Sequence, residues 1–398
     1  MNEGTSSSAS SSKVRWDSCR RMVVKVGSSL LVDQATGKLR RDWIDSLADD
    51  IAEARKRGRE IIIVSSGAVA LGRHRIALSA KSLRLEEKQA AAAAGQPGLM
   101  LAWQSALDRH DIPVAQVLLT LSDTEERRRH LNARGTLETL LRLKAVPIIN
   151  ENDTVATEEI RFGDNDRLAA RVAQMAGADT LILLSDIDGL YTADPKKDPK
   201  AALIPEVYEI SPAIEQAAGA AAPGYGSGGM VTKLMAARIA LNSGCRMLIA
   251  LGTALHPLAK TEREGGGTWF VPSATPRSAH KRWIASTLNP SGTIVVDDGA
   301  ARALTKGNSL LPAGVTNVDG NFERGDAVVV KAQDGRELAR GLCAYSSEDA
   351  RRILGHKSGE IEELLGYRGR EEMIHRDDLV LSGSAGQREE PAVQNRRE

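Results

Sequence analysis

The stretch Met22-Val23-Val24-Lys25-Val26-Gly27-Ser28-Ser29 decides the fold. Its valines read as a buried strand, and Lys25 interrupts them. A lysine in an apolar strand is costly unless a partner or ligand meets its charge. Gly27-Ser28-Ser29 follows at the strand's carboxyl end, where glycine permits close backbone approach and successive N–H groups can cradle a phosphate. The other reading is an edge-strand lysine that snorkels to water ahead of an ordinary turn. This stretch alone leaves both open.

Outward from it, to about Ala250, short β-branched runs alternate with amphipathic stretches. Strands are expected at 22–26, 61–64, 114–119, 146–149, 180–184 and 246–250. Helices are expected between them. One starts near Trp43, with Leu47, Ile51 and Ala54 on its apolar face, Asp42 as N-cap and Gly58 as C-cap. Others are expected at 85–94, 123–143, 166–176 and 230–242. This alternation predicts an α/β fold, an αβα sandwich around a mostly parallel sheet. In such sheets ligands bind beyond the carboxyl ends of the strands, so the loops there are where chemistry is sought.

Near 275–281 the pattern changes to a proline-containing basic linker. Strands are then expected at 293–296, 327–331 and 337–343, with helical pieces at 299–305 and 347–354, a small β-rich domain. The expected organisation is a disordered tail at 1–20, a first domain at 21–275, a second at 285–383 and a disordered tail at 384–398. A chain of 398 residues is about right for two or three domains.

A net charge of +1 provides no global field favouring nucleic acid or an anionic membrane. Aromatic residues are only 3%, so the core must rest on Ala, Leu, Ile and Val. Cys19, Cys245 and Cys343 lie far apart with no CxxC or Cys/His cluster, which reads as three reduced thiols of a cytoplasmic protein rather than a zinc site. No apolar run approaches the ~20 residues of a membrane span, and the Ser-rich start lacks the apolar region of a secretory signal.

Four further segments concentrate chemistry. Ser65-Ser66-Gly67 ends a strand and opens an expected helix, which suits an anion or simple serine capping. Asn150-Glu151-Asn152-Asp153 and Gly163-Asp164-Asn165-Asp166 gather amides and carboxylates within one βα connection, able to bind an amino group, a hydroxyl or Mg2+. Ser185, Asp186 and Asp188 end another strand. Gly224-Tyr225-Gly226-Ser227-Gly228-Gly229-Met230-Val231-Thr232-Lys233 contains a lexical G-x-G-x-x-G, but an alanine-rich segment rather than a strand precedes it, so the dinucleotide reading fails. A Gly-rich loop delivering Lys233 to a helix start still fits phosphate binding. The sequence holds no G-x-x-x-x-G-K-[ST].

These five segments, in this order, resemble the signatures of the amino-acid kinase family, and within it those of the glutamate 5-kinases. The stretch from Ser291 to Leu381 resembles a PUA domain, a module of RNA-modifying proteins. The resemblance implies ATP-dependent phosphorylation of the side-chain carboxylate of L-glutamate to L-glutamyl 5-phosphate, the first step of proline synthesis. It implies that Lys25 and Lys233 bind ATP phosphates and stabilise the transferred group, and that Asp166 holds both lysines. It implies glutamate binding by Ser66, Asn150, Asp153 and Asn165. Nucleotide binding falls to Ser185, Asp186 and the loop Ser227, Gly228, Gly229, Met230, Val231, Thr232 and Lys233. Mg2+ on the ATP phosphates, feedback inhibition by proline and a homo-oligomer follow from the same resemblance. Serines at Ser65, Ser185 and Ser227, where some relatives carry threonine, keep the hydroxyl.

The chemistry fits these residue types. A glutamate side chain has an unperturbed pKa of about 4.3, so the acceptor is already ionised and needs no general base. Two lysines can spread positive charge over a transferring phosphoryl group. Two alternatives stand: another amino-acid kinase acting on aspartate or N-acetylglutamate, or an RNA-binding protein through the PUA-like domain. For the latter, Arg351, Arg352, His356, Lys357 and Arg368 could form a basic face, but Glu348, Glu360, Glu362 and Glu363 interleave with them.

Overall fold

A computed structural model describes residues 14–78, 83–156, 165–219, 229–276, 278–279, 281, 284 and 290–382. The chain divides into two units, Met1–Pro276 and Arg277–Glu398.

The strands of the first unit are β1 (Arg21–Val26), β2 (Glu60–Ser65), β3 (Val114–Leu119), β4 (Val146–Glu151), β5 (Thr180–Ser185), β6 (Leu190–Tyr191), β7 (Leu203–Ile204), β8 (Glu206–Val207), β9 (Arg246–Leu251) and β10 (Thr268–Phe270). Eight of them form one sheet in the order β3-β4-β2-β1-β5-β9-β10-β8, and β6 and β7 pair separately. Every neighbour pair from β3 to β9 is parallel, and β10 runs antiparallel to β9. The expected α/β sandwich with a mostly parallel sheet is therefore present. The short strands β10 and β8, the latter at the sheet edge, were not anticipated, since runs of two and three residues carry no readable period.

Helices cover both faces: α1 (Ser28–Leu31), α2 (Arg41–Lys56), α3 (Ala68–Arg75), α4 (Leu85–Asp108), α5 (Leu121–Glu125), α6 (Arg127–Arg142), α7 (Asn165–Ala176), α8 (Pro212–Ala217), α9 (Met230–Asn242) and α10 (Pro257–Glu264). Alternate residues of the central strands feed two cores. Met22, Val24, Ile61, Ile63, Ile182 and Leu248 pack with Ile44, Leu47, Leu99 and Trp103 of α2 and α4. Val23, Ile62, Val64, Leu181 and Met247 pack with Leu168, Ala169, Val172 and Ala237 of α7 and α9. Lys25 shares its face with Val23, which aims it at the α7–α9 layer.

Several expectations need correction. The helix expected at 85–94 continues to Asp108 despite Pro97, because Leu99, Ala102, Trp103 and Ala106 keep its buried stripe going; packing outweighs the lost hydrogen bond. The stretch 123–143 is two helices, separated where Glu126 is extended, and Thr120 with Asp123 closes a capping box on α5. Asp42 lies in the first turn of α2 rather than capping it, and the N-cap is Arg40; Gly58 follows the helix end in the left-handed region at φ 82°. Residues 14–20, assigned to the tail, pack on the first unit. Trp16 is buried edge-on against Trp269 with centroids 6.0 Å apart, and Arg15 pairs with Glu206 at 2.9 Å. A lone tryptophan in a polar segment has no periodicity to reveal it. The remaining N-terminal residues 1–13, and 383–398 with the expected C-terminal tail, lie outside the described residues.

In the second unit, β11 (Gly292–Val296), β12 (Val315–Gly320), β13 (Ala327–Ala332), β14 (Glu337–Leu342) and β15 (Leu379–Leu381) form a sheet in the order β12-β11-β13-β14-β15. With α11 (Asp298–Thr305), α12 (Ser347–Ile353) and α13 (Ile361–Leu365) they enclose a core of Ile294, Val328, Val330, Phe322, Tyr345 and Met373. Strand β12 was missed because only Val315 and Val318 of its residues are buried. Arg351 donates to the Val318 and Gly320 carbonyls, Arg352 to that of Leu364, and His356 pairs with Glu360 at 2.9 Å. Three members of the suggested basic face are thus held by groups of their own unit.

Candidate active site

Strand β1 is central. Lys25 faces Val64 of β2 on one side and Leu183 of β5 on the other. The edge-strand alternative is therefore ruled out. Lys25 is buried, and so is Lys233 in the first turn of α9. Both end on Asp166, in the first turn of α7, which is 0% exposed. Lys25 Nζ lies 2.6 Å from Oδ1, and Lys233 Nζ lies 2.9 Å from Oδ2. The Thr232 hydroxyl donates to the Gly229 carbonyl at 2.8 Å and lies 3.3 Å from the same Oδ2. Burial alone would raise the Asp166 pKa, but the two ammonium groups outweigh it and hold the carboxyl below its usual range. The ion pairs thus unite a strand and two helices at one point.

The site opens as a cleft of about 1070 Å3 along the carboxyl ends of β1, β2, β4 and β5. Lys25, Gly27, Ser66, Asn150, Asp153, Asn165, Ser185, Asp186 and Lys233 all line it. Ser66, Asn150 and Asn165 form a connected polar wall. Asn165 Nδ2 donates to Ser66 Oγ at 2.6 Å and to Asn150 Oδ1 at 3.2 Å. Asn165 Oδ1 is buried and has no hydrogen-bond partner among the described residues. It is an acceptor left for a donor arriving with a bound molecule. Burial pushes the Asp153 carboxyl up to about 6, so at neutral pH the cleft holds a costly ionised carboxylate suited to a cation such as an ammonium.

The serine-capping reading of Ser65-Ser66 does not hold. The N-cap of α3 is Gly67, at φ 106°, and no side chain caps this helix. Ser65 Oγ instead accepts from the Trp103 indole at 2.9 Å. Ser185 donates to its neighbour Asp186 at 3.1 Å. Of the Gly-rich loop, Gly229 caps α9 and Met230, Val231 and Thr232 begin it, and among its described members Lys233 lines the cleft; Ser227 and Gly228 lie outside the described residues.

The sequence reading missed Arg73 and His74 at the end of α3, which also line the cleft, and Gln96 of α4, which accepts from Asn150 Nδ2 at 2.8 Å. The signal for Gln96 was present but misleading: Gly95-Gln96-Pro97 reads as a helix stop. The same segment explains how α3 is placed. A Cβ on Gly95 would sit 1.9 Å from the Ala68 carbonyl oxygen, and one on Gly72 would sit 1.7 Å from that of Ala91. The two helices touch backbone to backbone, a contact only glycine permits.

The sequence profile of the amino acid kinase family matches residues 20–250, the stretch that carries every one of these side chains. The chain belongs to the amino acid kinase family. A PUA domain matches residues 292–365. A glutamate 5-kinase of Paramagnetospirillum magneticum is 64% identical over 92% of this chain and 98% of its own length. One from Rhodospirillum rubrum is 60% identical with the same coverage, and one from Gluconobacter oxydans is 56% identical over 94% of this chain and 99% of its own. The family match and the PUA domain are as the sequence resemblance implied. Among the described residues, no helix is long and apolar enough to cross a membrane.

Proposed function

We propose that this chain transfers the γ-phosphoryl group of ATP to the side-chain carboxylate of L-glutamate, giving L-glutamyl 5-phosphate and ADP, the first step of proline biosynthesis. The observation that carries this reading is the convergence of Lys25 and Lys233 on Asp166 at the floor of a polar cleft. The identity of its glutamate 5-kinase relatives supports the choice of acceptor.

In the reaction, a carboxylate oxygen of glutamate attacks the γ-phosphorus as the bond to the ADP oxygen breaks. The attacking oxygen carries no proton at pH 7, so no base acts. Negative charge spreads over the equatorial oxygens in the loose transition state. Lys25 and Lys233 approach them from opposite elements, and Asp166 fixes both ammonium groups in advance. Such preorganisation is where electrostatic catalysis gains most. Ser66, Asn150, Asp153 and Asn165 bind glutamate, with Asp153 and the Asn165 oxygen, unpartnered among the described residues, matched to its ammonium. Ser185 and Asp186 at the end of β5, with residues 227–233, hold the nucleotide.

A Mg2+ ion on the nucleotide phosphates is part of the same proposal, since this ion usually keeps several waters and is bound through substrate phosphates. When bound it neutralises phosphate charge. Inhibition by proline near the glutamate pocket, assembly as a homo-oligomer and a cytoplasmic location belong to the same reading and rest on the resemblance. RNA binding by the PUA domain rests on that domain's kind alone.

Hydroxylamine traps an acyl phosphate as a hydroxamate. With ATP, L-glutamate should yield hydroxamate while L-aspartate and N-acetyl-L-glutamate do not. Product from either of those and none from glutamate would assign the chain a different acceptor.

A further inference from the structure

We infer that Gln96 is a positioning residue that sets the donor–acceptor polarity of the acceptor pocket, a role that rests on the glutamate reading above. Gln96 lies on α4, outside the cleft lining. Its Oε1 accepts from Asn150 Nδ2 at 2.8 Å. Asn150 is 2% exposed, so its amide has few ways to turn. With Nδ2 turned to Gln96, Asn150 Oδ1 faces inward, accepting from the Glu151 N–H at 2.9 Å and from Asn165 Nδ2 at 3.2 Å. Asn165 then has both amide protons engaged, one on Asn150 and one on Ser66, and its Oδ1 remains as a buried acceptor without a partner among the described residues.

Each amide in this chain is a two-ended object, donor at one end and acceptor at the other. Orienting the first helps orient the last, and the Glu151 N–H on Asn150 Oδ1 acts in the same sense. An acceptor at Gln96 therefore presents an acceptor, not a donor, to the substrate. That polarity suits an ammonium and rejects a group that can only accept. A second glutamine reinforces the arrangement. Gln89, about two helical turns earlier on α4, donates to the Ala156 carbonyl at 3.0 Å. The helix thus grips the βα connection at both Asn150 and Ala156, with Asp153 between them.

The test is steady-state kinetics on Gln96→Met, which keeps length and helix propensity but lacks the acceptor, and Gln96→Glu, which keeps it. Loss of a buried hydrogen bond predicts a rise of about tenfold in KM for glutamate in Gln96→Met, with KM for ATP within about twofold of wild type. Gln96→Glu should stay within about threefold on both. Gln96→Ala gives the same test if the methionine variant does not fold. The inference is overturned if KM for glutamate is unmoved, if both KM values rise together, or if Gln96→Glu is as impaired as Gln96→Met. Failure of the glutamate reading itself is separate: wild type would then form no hydroxamate from glutamate.

Discussion

Lys25 and Lys233 come from a central strand and a helix start far apart in sequence, yet they meet on opposite oxygens of a single carboxylate, at 2.6 and 2.9 Å. Asp166 is 0% exposed, so neither ammonium can relax into water around it. The pairing couples the fold to the proposed chemistry: the carboxylate proposed to align two cations for a phosphoryl group also ties β1, α7 and α9 together.

Asp166→Asn keeps the shape and removes the charge. Two ammonium groups would then face each other across a neutral amide. Breaking a buried ion pair from one side typically costs about 3–5 kcal/mol, so thermal unfolding should occur well below wild type, and turnover should fall by at least ~100-fold. The depressed Asp166 pKa also fixes the sign of its pH dependence. Its contribution is present above the ordinary carboxylate value and is lost as pH falls through its folded-state value. Melting temperature against pH for wild type and variant checks this.

Asp153 behaves in the opposite sense. Burial raises its carboxyl to about 6 from 3.8, so kcat/KM for glutamate should decline as pH falls through about 6, where the free enzyme gains a proton. Because the folded-state value is raised, ionised Asp153 weakens the fold, and stability is lost as pH rises between those two values. Asp153→Asn should therefore raise the melting temperature at pH 8, leave it near wild type at pH 4, and bind glutamate poorly at both.

Gly95→Ala tests the contact between α3 and α4. The added methyl would lie 1.9 Å from the Ala68 carbonyl oxygen, so one helix must move. Overpacking of this kind costs about 1–3 kcal/mol. Because Ala68 follows directly on Ser66 and Gly67, KM for glutamate should rise more than KM for ATP. Equal stability and unchanged kinetics would show that the contact is slack.

Much of this was legible in the chain. The central strands were readable because both faces are buried and each is a short, mostly apolar run, β-branched in β1 and β2 and leucine-rich in β5. Lys25 was readable because a charge inside such a run demands a reason, and Lys233 because a Gly-rich loop delivers it to a helix start. What the sequence could not reveal depends on tertiary partners. Pro97 signals a helix end locally, yet the buried stripe of Leu99 and Trp103 carries α4 past it. Gln96 has no motif of its own, and its meaning comes from Asn150, 54 positions away. Ser65 looked like a cap and is instead an acceptor for Trp103. Val315 and Val318 are too sparse an apolar pattern to declare β12.

The central claim is that Lys233, held by Asp166, stabilises the phosphoryl group in flight rather than merely binding substrate. The most direct measurement is kcat for glutamate-dependent hydroxamate formation at saturating ATP and glutamate, for wild type and Lys233→Ala. A fall of about 100- to 1,000-fold in kcat with KM for glutamate little changed is the expected result. A kcat within a few fold of wild type, or a loss confined to KM for ATP, would contradict it.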